Sequence, residues 1–151
     1  MIDLSHVEAY RENDQIEAKK ALGGLPKSLW ETYSAFANTR GGVILLGVEE
    51  HPDHSLHPVD LSDPDALIRE FWELVNDPDF VSANILSTAA ITWIEFQGRD
   101  VIAIEVPQAD RRDRPVYIGK DPFSGSYVRN GEGDCHCSRQ EVMRMLDEAK
   151  A

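Results

Sequence analysis

The sequence predicts an α+β fold, a single layered domain in which a mixed β-sheet is flanked by helices. Segments with the two-residue alternation of strands are interspersed with segments that repeat apolar residues at helical spacing. Their order is strand, helix, strand, helix, hairpin, short strands and helix, without an internal repeat or linker. A length of 151 residues suits one domain, so we expect residues 1–151 to be one domain and the N-terminal part of a longer chain.

The first half of the chain alternates strands with helices. After an arm or short helix at residues 1–14, residues 15–19 alternate polar and apolar side chains as an edge strand does. Residues 26–38 repeat apolar side chains at helical spacing, and a glycine pair ends that helix. The continuous apolar run at residues 43–48 is typical of a central strand that is buried on both faces.

A helix and a hairpin are predicted next. Ser62 is the expected cap of a helix that runs to Val75, with Pro64 in its first turn. Residues 90–96 and 101–106 both alternate as strands do, and the glycine-containing turn between them favours a β-hairpin.

The C-terminal part is predicted to hold two short strands and a last helix. The strands are residues 116–118 and 126–129, around a turn at residues 122–125. Ser138 begins the helix, because Glu141 stands three residues later and completes a capping box.

Two groups of residues contain side-chain types that can bind transition metals. The first is the loop at residues 49–58, which carries three histidines beside acids: His51, His54 and His57. The second is the run Cys135, His136 and Cys137. A flexible acidic loop is favoured for the first, because prolines prevent a helix that would align the histidines. For the second, a hydrophobic staple between Cys137 and Val142 is favoured, because no further ligand pair stands nearby.

Charge and hydropathy exclude some partners. The net charge of −12 argues against indiscriminate nucleic-acid binding, which depends on neutralising phosphates. The acids are concentrated at residues 49–79, whereas residues 99–129 hold six bases against five acids. No apolar run approaches the roughly 20 residues that span a bilayer, and the acidic N-terminus does not suit a secretory signal. We therefore expect no membrane partner, a cytoplasmic location and reduced thiols.

Residues 35–50, which read AFANTRGGVILLGVEE, form the most specific motif. Acids at Glu12 and Glu17, followed by Lys19, precede it, and the runs RPVYI and YVRNG follow it. Together these motifs make the chain similar to the Schlafen-type AlbA-like family, also described as a divergent AAA family. The resemblance implies a Schlafen/AlbA-like fold and a nucleic-acid-binding module at the front of bacterial transcriptional regulators. The phosphate loop of nucleotide hydrolases is absent from the sequence.

The resemblance implies a nucleic-acid partner, DNA rather than RNA. The basic residues that could contact phosphates are Lys19, Lys20, Arg111, Arg112, Arg114, Lys120 and Arg129. In so acidic a chain, Arg114 and Arg129 could equally be structural ion-pair partners. Assembly into a homo-oligomer is left open.

An alternative implication is a metal-dependent ribonuclease. By motif position, Glu12, Glu17 and Glu50 correspond to the three acids of the RNA-cleaving site in eukaryotic Schlafen relatives. Such carboxylates would bind Mg²⁺ or Mn²⁺, and the metal would activate water. No cofactor is implied outside this alternative. Solvated surface carboxylates are the competing interpretation of the same residues.

Overall fold

The computed structural model describes residues 15–151. The predicted leading arm, Glu12 included, lies outside the described residues. The elements in chain order are β1 (Ile16–Lys19), α1 (Ser28–Asn38), β2 (Gly42–Leu46), β3 (Val48–Glu50), β4 (Leu56–Pro58), α2 (Pro64–Val75), β5 (Ile91–Phe96), β6 (Arg99–Val106), α3 (Pro122–Gly125), β7 (Tyr127–Asn130), β8 (Gly133–His136) and α4 (Arg139–Lys150).

A four-stranded sheet in the order β1-β2-β6-β5 forms the centre of the fold. Strand β1 runs parallel to β2, whereas β2 with β6 and β5 with β6 are antiparallel pairs. The mixed sheet with its helices confirms the predicted α+β class, and β1 is an edge strand as expected. Alternate side chains of β2 point to opposite faces: Ile44 packs with α1 and α2, and Leu45 packs with Val48 and Leu56.

Helix α1 is fastened to the C-terminal segments by its last polar side chains. Asn38 is buried; it donates to the carbonyls of Val116 (2.9 Å) and Tyr127 (3.0 Å) and accepts from the Val116 N–H (2.8 Å). Ser34 accepts from the Tyr127 N–H at 3.0 Å, and Thr39 accepts from the Arg129 N–H at 2.9 Å. Asn38 thus joins segments that are distant in the sequence, because α1 packs against β7 as well as against the sheet.

The glycine pair after α1 is required by close backbone approach. A Cβ on Gly41 would lie 2.7 Å from the Val106 carbonyl oxygen, and the φ of Gly41 is +75°. A Cβ on Gly42 would lie 2.8 Å from both the Gln15 carbonyl oxygen and the Phe36 ring. The pair therefore provides a backbone angle at Gly41 and close contacts at both positions that larger residues would forbid.

The predicted central strand at residues 43–48 is interrupted at Gly47, whose φ is +87°. Its first part, β2, is buried in the sheet as predicted. Beyond Gly47 the chain begins a separate hairpin, in which β3 pairs with β4. The expectation of a flexible loop at residues 49–58 is therefore wrong. Leu56 is buried against the sheet, and this apolar anchor fixes the hairpin despite its polar sequence.

Four local predictions need correction. Asp63, rather than Ser62, caps α2 by accepting from the Ala66 N–H at 3.1 Å. Helix α1 begins two residues later than predicted, with Lys27 as its cap. The expected turn at residues 122–125 is the one-turn helix α3, because Asp121 accepts from the Phe123 N–H. Residues 116–118 make isolated bridges rather than a strand, and β8 was not predicted because its sequence lacks alternation.

The start of the last helix agrees with the sequence. Ser138 accepts from the Glu141 N–H at 3.1 Å, and the Glu141 carboxylate accepts from the Ser138 N–H at 2.8 Å. Cys137 and Val142 are buried together with Met145, which confirms the staple. Burial raises the pKa of the Cys137 thiol to about 12. In residues 15–151, none of the helices is both long and apolar enough to span a membrane.

Candidate functional site

A buried ion network lies where β1 meets the β7–β8 ribbon. The Arg129 side chain is 1% exposed, and its guanidinium is 3.0 Å from the Glu17 carboxylate and 2.7 Å from that of Asp134. It also lies over the Phe36 ring, 4.9 Å from the centroid, and donates to the Ile16 carbonyl at 3.3 Å. Glu17 and Asp134 are each only 13% exposed. Arg129 therefore has the environment of a structural ion-pair partner, not that of a surface cation.

Lys19 extends the network along β1. Its ammonium is 3.2 Å from the Glu17 carboxylate and donates to the Ser28 hydroxyl at 3.0 Å. At the other end, the Thr32 hydroxyl donates to Asp134 at 2.6 Å. Among residues 15–151, the network contains the cations Lys19 and Arg129, and both of them pair with Glu17. Charges this deeply buried are retained only where each has a partner.

Other predicted bases lie on the surface. The exposed fractions of the side chains are 58% for Lys20 and 75% for Arg112 and Lys120. Each lies within 4 Å of an exposed carboxylate, those of Glu49, Asp110 and Asp79 respectively. Arg112 donates through its backbone N–H and its side chain to Asp110, and these hydrogen bonds hold the pKa of that carboxyl below its usual range. Exposed pairs of this kind are weak.

Arg111 and Arg114 differ from these three bases. The exposed Arg111 guanidinium donates to the carbonyls of Glu148 and Ala151, both at 2.8 Å, at the end of α4. A cation there is favourable for the helix dipole. Arg114 precedes a cis peptide bond to Pro115, and its buried Nε has no hydrogen-bond partner among the described residues 15–151.

Glu50, the third acid of the predicted metal site, lies in a different group from Glu17. Ligand atoms of Glu50, His54 and Glu132 all lie within 4.8 Å of one another. Glu17 does not belong to this group, and Glu12 lies outside the described residues. The three-carboxylate site therefore stays a prediction, in which Glu17 would have to serve a metal while paired with two cations.

The three loop histidines do not form one metal group. The rings of His51 and His57 stack with their centroids 3.6 Å apart, and His51 lies 3.1 Å from Glu49. Only His54 joins Glu50, with 3.6 Å between Nδ1 and Oε2. The positive φ of His54, +68°, places it at the tip of the β3–β4 hairpin.

A cleft of about 530 Å³ between β1 and β3 brings several predicted residues together. Lys19, Lys20 and Glu50 line it, along with Glu49. Sequence reasoning missed Asp134 and Glu132, which the β7–β8 hairpin carries to the same side of the fold. Gly131 and Gly133 indicate a turn at these residues, but they do not predict which element the turn packs against.

Comparison with known proteins identifies the family. The family model described as Schlafen, AlbA_2 matches residues 12–138. The chain belongs to this family. The comparison with curated proteins finds no match.

Two solved structures have the fold of this Schlafen AlbA_2 domain. One is the N-terminal domain of an ATP-dependent DNA helicase RecG-related protein from Nitrosomonas europaea, with 26% identity and a TM-score of 0.64. That match covers 91% of this chain and 94% of the other. The second, the DIP2311 protein from Corynebacterium diphtheriae, is 18% identical with a TM-score of 0.57. It matches 88% of this chain, which spans only 24% of that protein, and the likeness shows the fold alone.

Proposed function

We propose that this Schlafen AlbA_2 domain binds nucleic acid, DNA in preference to RNA, as a module of a cytoplasmic transcriptional regulator. The observation that carries the proposal is the match to a RecG-related N-terminal domain, named after a DNA helicase, along nearly the full length of both chains. Family membership over residues 12–138 supports the same role.

The proposed phosphate contacts are those of the predicted bases that are exposed, namely Lys20, Arg111, Arg112 and Lys120. The carboxylate partners of the exposed lysines and of Arg112 are themselves 36–76% exposed, so these pairs can open and exchange a carboxylate for a phosphate at little cost. Arg129 and Lys19 take a different role, because their charges are already used inside the fold. We propose that they position β1 and β7 and do not touch phosphates.

Four phosphate contacts imply moderate, salt-sensitive binding. On B-DNA the logarithm of the binding constant should fall with the logarithm of salt concentration at a slope of about −3.6. Raising salt from about 50 to about 200 mM would then weaken binding by about 150-fold. The net charge of −12 adds repulsion, so binding depends on local positive surface.

Fluorescence anisotropy with labelled oligonucleotides tests the proposal. Duplex DNA, single-stranded DNA and RNA of one sequence are titrated in EDTA at 50 mM salt. The double variant Arg112→Ala/Lys120→Ala should bind duplex DNA at least tenfold more weakly, whereas Arg69→Ala should bind as the parent does. Arg69 is the matched control because it is exposed on α2 among acids. Absence of binding at this salt, or an equal loss in all variants, would overturn the proposal.

A further inference from the structure

We infer that Glu50, His54 and Glu132 form a site for a divalent transition-metal ion, with Zn²⁺ preferred to Mg²⁺. The site is separate from the proposed nucleic-acid binding and does not depend on it. One imidazole nitrogen and two carboxylate oxygens face each other, all within 4.8 Å. Glu50 and His54 come from the β3–β4 hairpin, and Glu132 comes from the tip between β7 and β8.

The ligand set indicates which ion fits. Zn²⁺ takes histidine nitrogen and carboxylate oxygen at about 2.0–2.2 Å, so tetrahedral ligands stand about 3.3–3.6 Å apart. The His54 Nδ1 and Glu50 Oε2 atoms are already 3.6 Å apart. Glu132 and His54 are exposed, so small rotations of their side chains would close the remaining distance. An imidazole ligand favours zinc over magnesium, which prefers oxygen ligands and bound water. Three protein ligands leave a fourth position open.

A second observation points to a cation at this place. Among residues 15–151, the Oε2 atom of Glu50 is buried and has no hydrogen-bond partner, while the Glu50 side chain as a whole is 26% exposed. A buried carboxylate oxygen without a donor is costly. In the part of the chain that the structure describes, neither Glu50 nor Glu132 has an ion pair with lysine or arginine. Glu17, by contrast, has two such partners. A bound dication would supply what Glu50 and Glu132 lack.

Isothermal titration with ZnCl₂ and with MgCl₂ tests the site on the full chain. The Cys135→Ser background removes the exposed thiol, which could bind zinc on its own. We expect one Zn²⁺ per chain and at least tenfold weaker binding of Mg²⁺. Glu132→Gln and His54→Asn should each weaken Zn²⁺ binding at least tenfold, since even residues that only orient metal ligands contribute that much. Asparagine suits position 54 because it tolerates positive φ.

His57→Asn is the matched control, since His57 lies on the same hairpin but stacks on His51. It should leave Zn²⁺ binding unchanged. At a Zn²⁺ concentration about a hundredfold above Kd, the melting temperature should rise by about 5–10 °C in the parent and in His57→Asn only.

Three results would overturn the site: no Zn²⁺ binding, equal binding by Glu132→Gln and the parent, or an equal loss in His57→Asn. Circular dichroism and metal-free melting establish that each variant is folded. Because Glu132 is exposed, Glu132→Gln is expected to fold. DNA binding is measured in EDTA, so failure of one proposal leaves the other standing.

Discussion

Replacing Arg129 tests whether the ion network is structural. Arg129→Met keeps an apolar stem over Phe36 but removes the charge that faces Glu17 and Asp134. Breaking one partner of a buried ion pair costs about 3–5 kcal/mol, because the remaining charge is left uncompensated. The two carboxylates retain 13% exposure, and Lys19 still pairs with Glu17, so we expect the lower end, about 3 kcal/mol.

That loss is a large part of the roughly 5–15 kcal/mol that stabilises a typical domain. Urea unfolding monitored by tryptophan fluorescence measures this loss as a lower midpoint urea concentration with an unchanged m-value. Arg112→Met is the control, because its pair with Asp110 is exposed and its loss should leave the urea midpoint nearly unchanged.

The opposite pattern would refute the structural role. If Arg129→Met unfolds within about 1 kcal/mol of the parent while its DNA affinity falls tenfold, Arg129 is a phosphate ligand. The network would then have to open when DNA binds.

Two further predictions concern single side chains. Asn38→Ala should lower the free energy of unfolding, measured with urea, by about 2–4 kcal/mol, because the buried Val116 N–H and the Tyr127 carbonyl lose their partner. A decrease of less than about 0.5 kcal/mol would contradict these hydrogen bonds. Cys137, whose pKa is raised to about 12, should resist a thiol reagent at pH 8 in the folded protein, while the exposed Cys135 reacts. Simultaneous reaction of both thiols would contradict the protection of Cys137. Because the raised pKa disfavours the thiolate in the folded protein, the free energy of unfolding should fall as pH rises above 9 toward 12.

Local signals explain how much of the fold could be predicted. The α4 capping box depends on residues three apart, and the β5–β6 hairpin on a short turn, so both were correct. The β3–β4 hairpin was missed because the polar composition of residues 49–58 hides the apolar anchor Leu56. No local pattern distinguishes that residue from one in an exposed loop.

The candidate site could be predicted only in part, because its contacts are long-range. The bases and acids were visible in the sequence, but the pairing of Arg129 with Glu17 arises from packing between distant segments. Likewise, the turn that carries Glu132 could be predicted from the sequence. The proximity of Glu132 to Glu50 could not, because it depends on how β7 and β8 pack against α1. From the sequence, Arg129 could be either a phosphate contact or an ion-pair partner, and its burial favours the ion pair.

The salt dependence of duplex-DNA affinity tests the central claim most directly. Anisotropy titrations of the parent between 50 and 200 mM salt should give a slope of about −3.6 in the double-logarithmic plot. The variant Arg112→Ala/Lys120→Ala should reduce the slope to about −1.8, since two of four proposed contacts are lost. A parent that binds no DNA at 50 mM salt, or a slope that the variant leaves unchanged, would contradict the account.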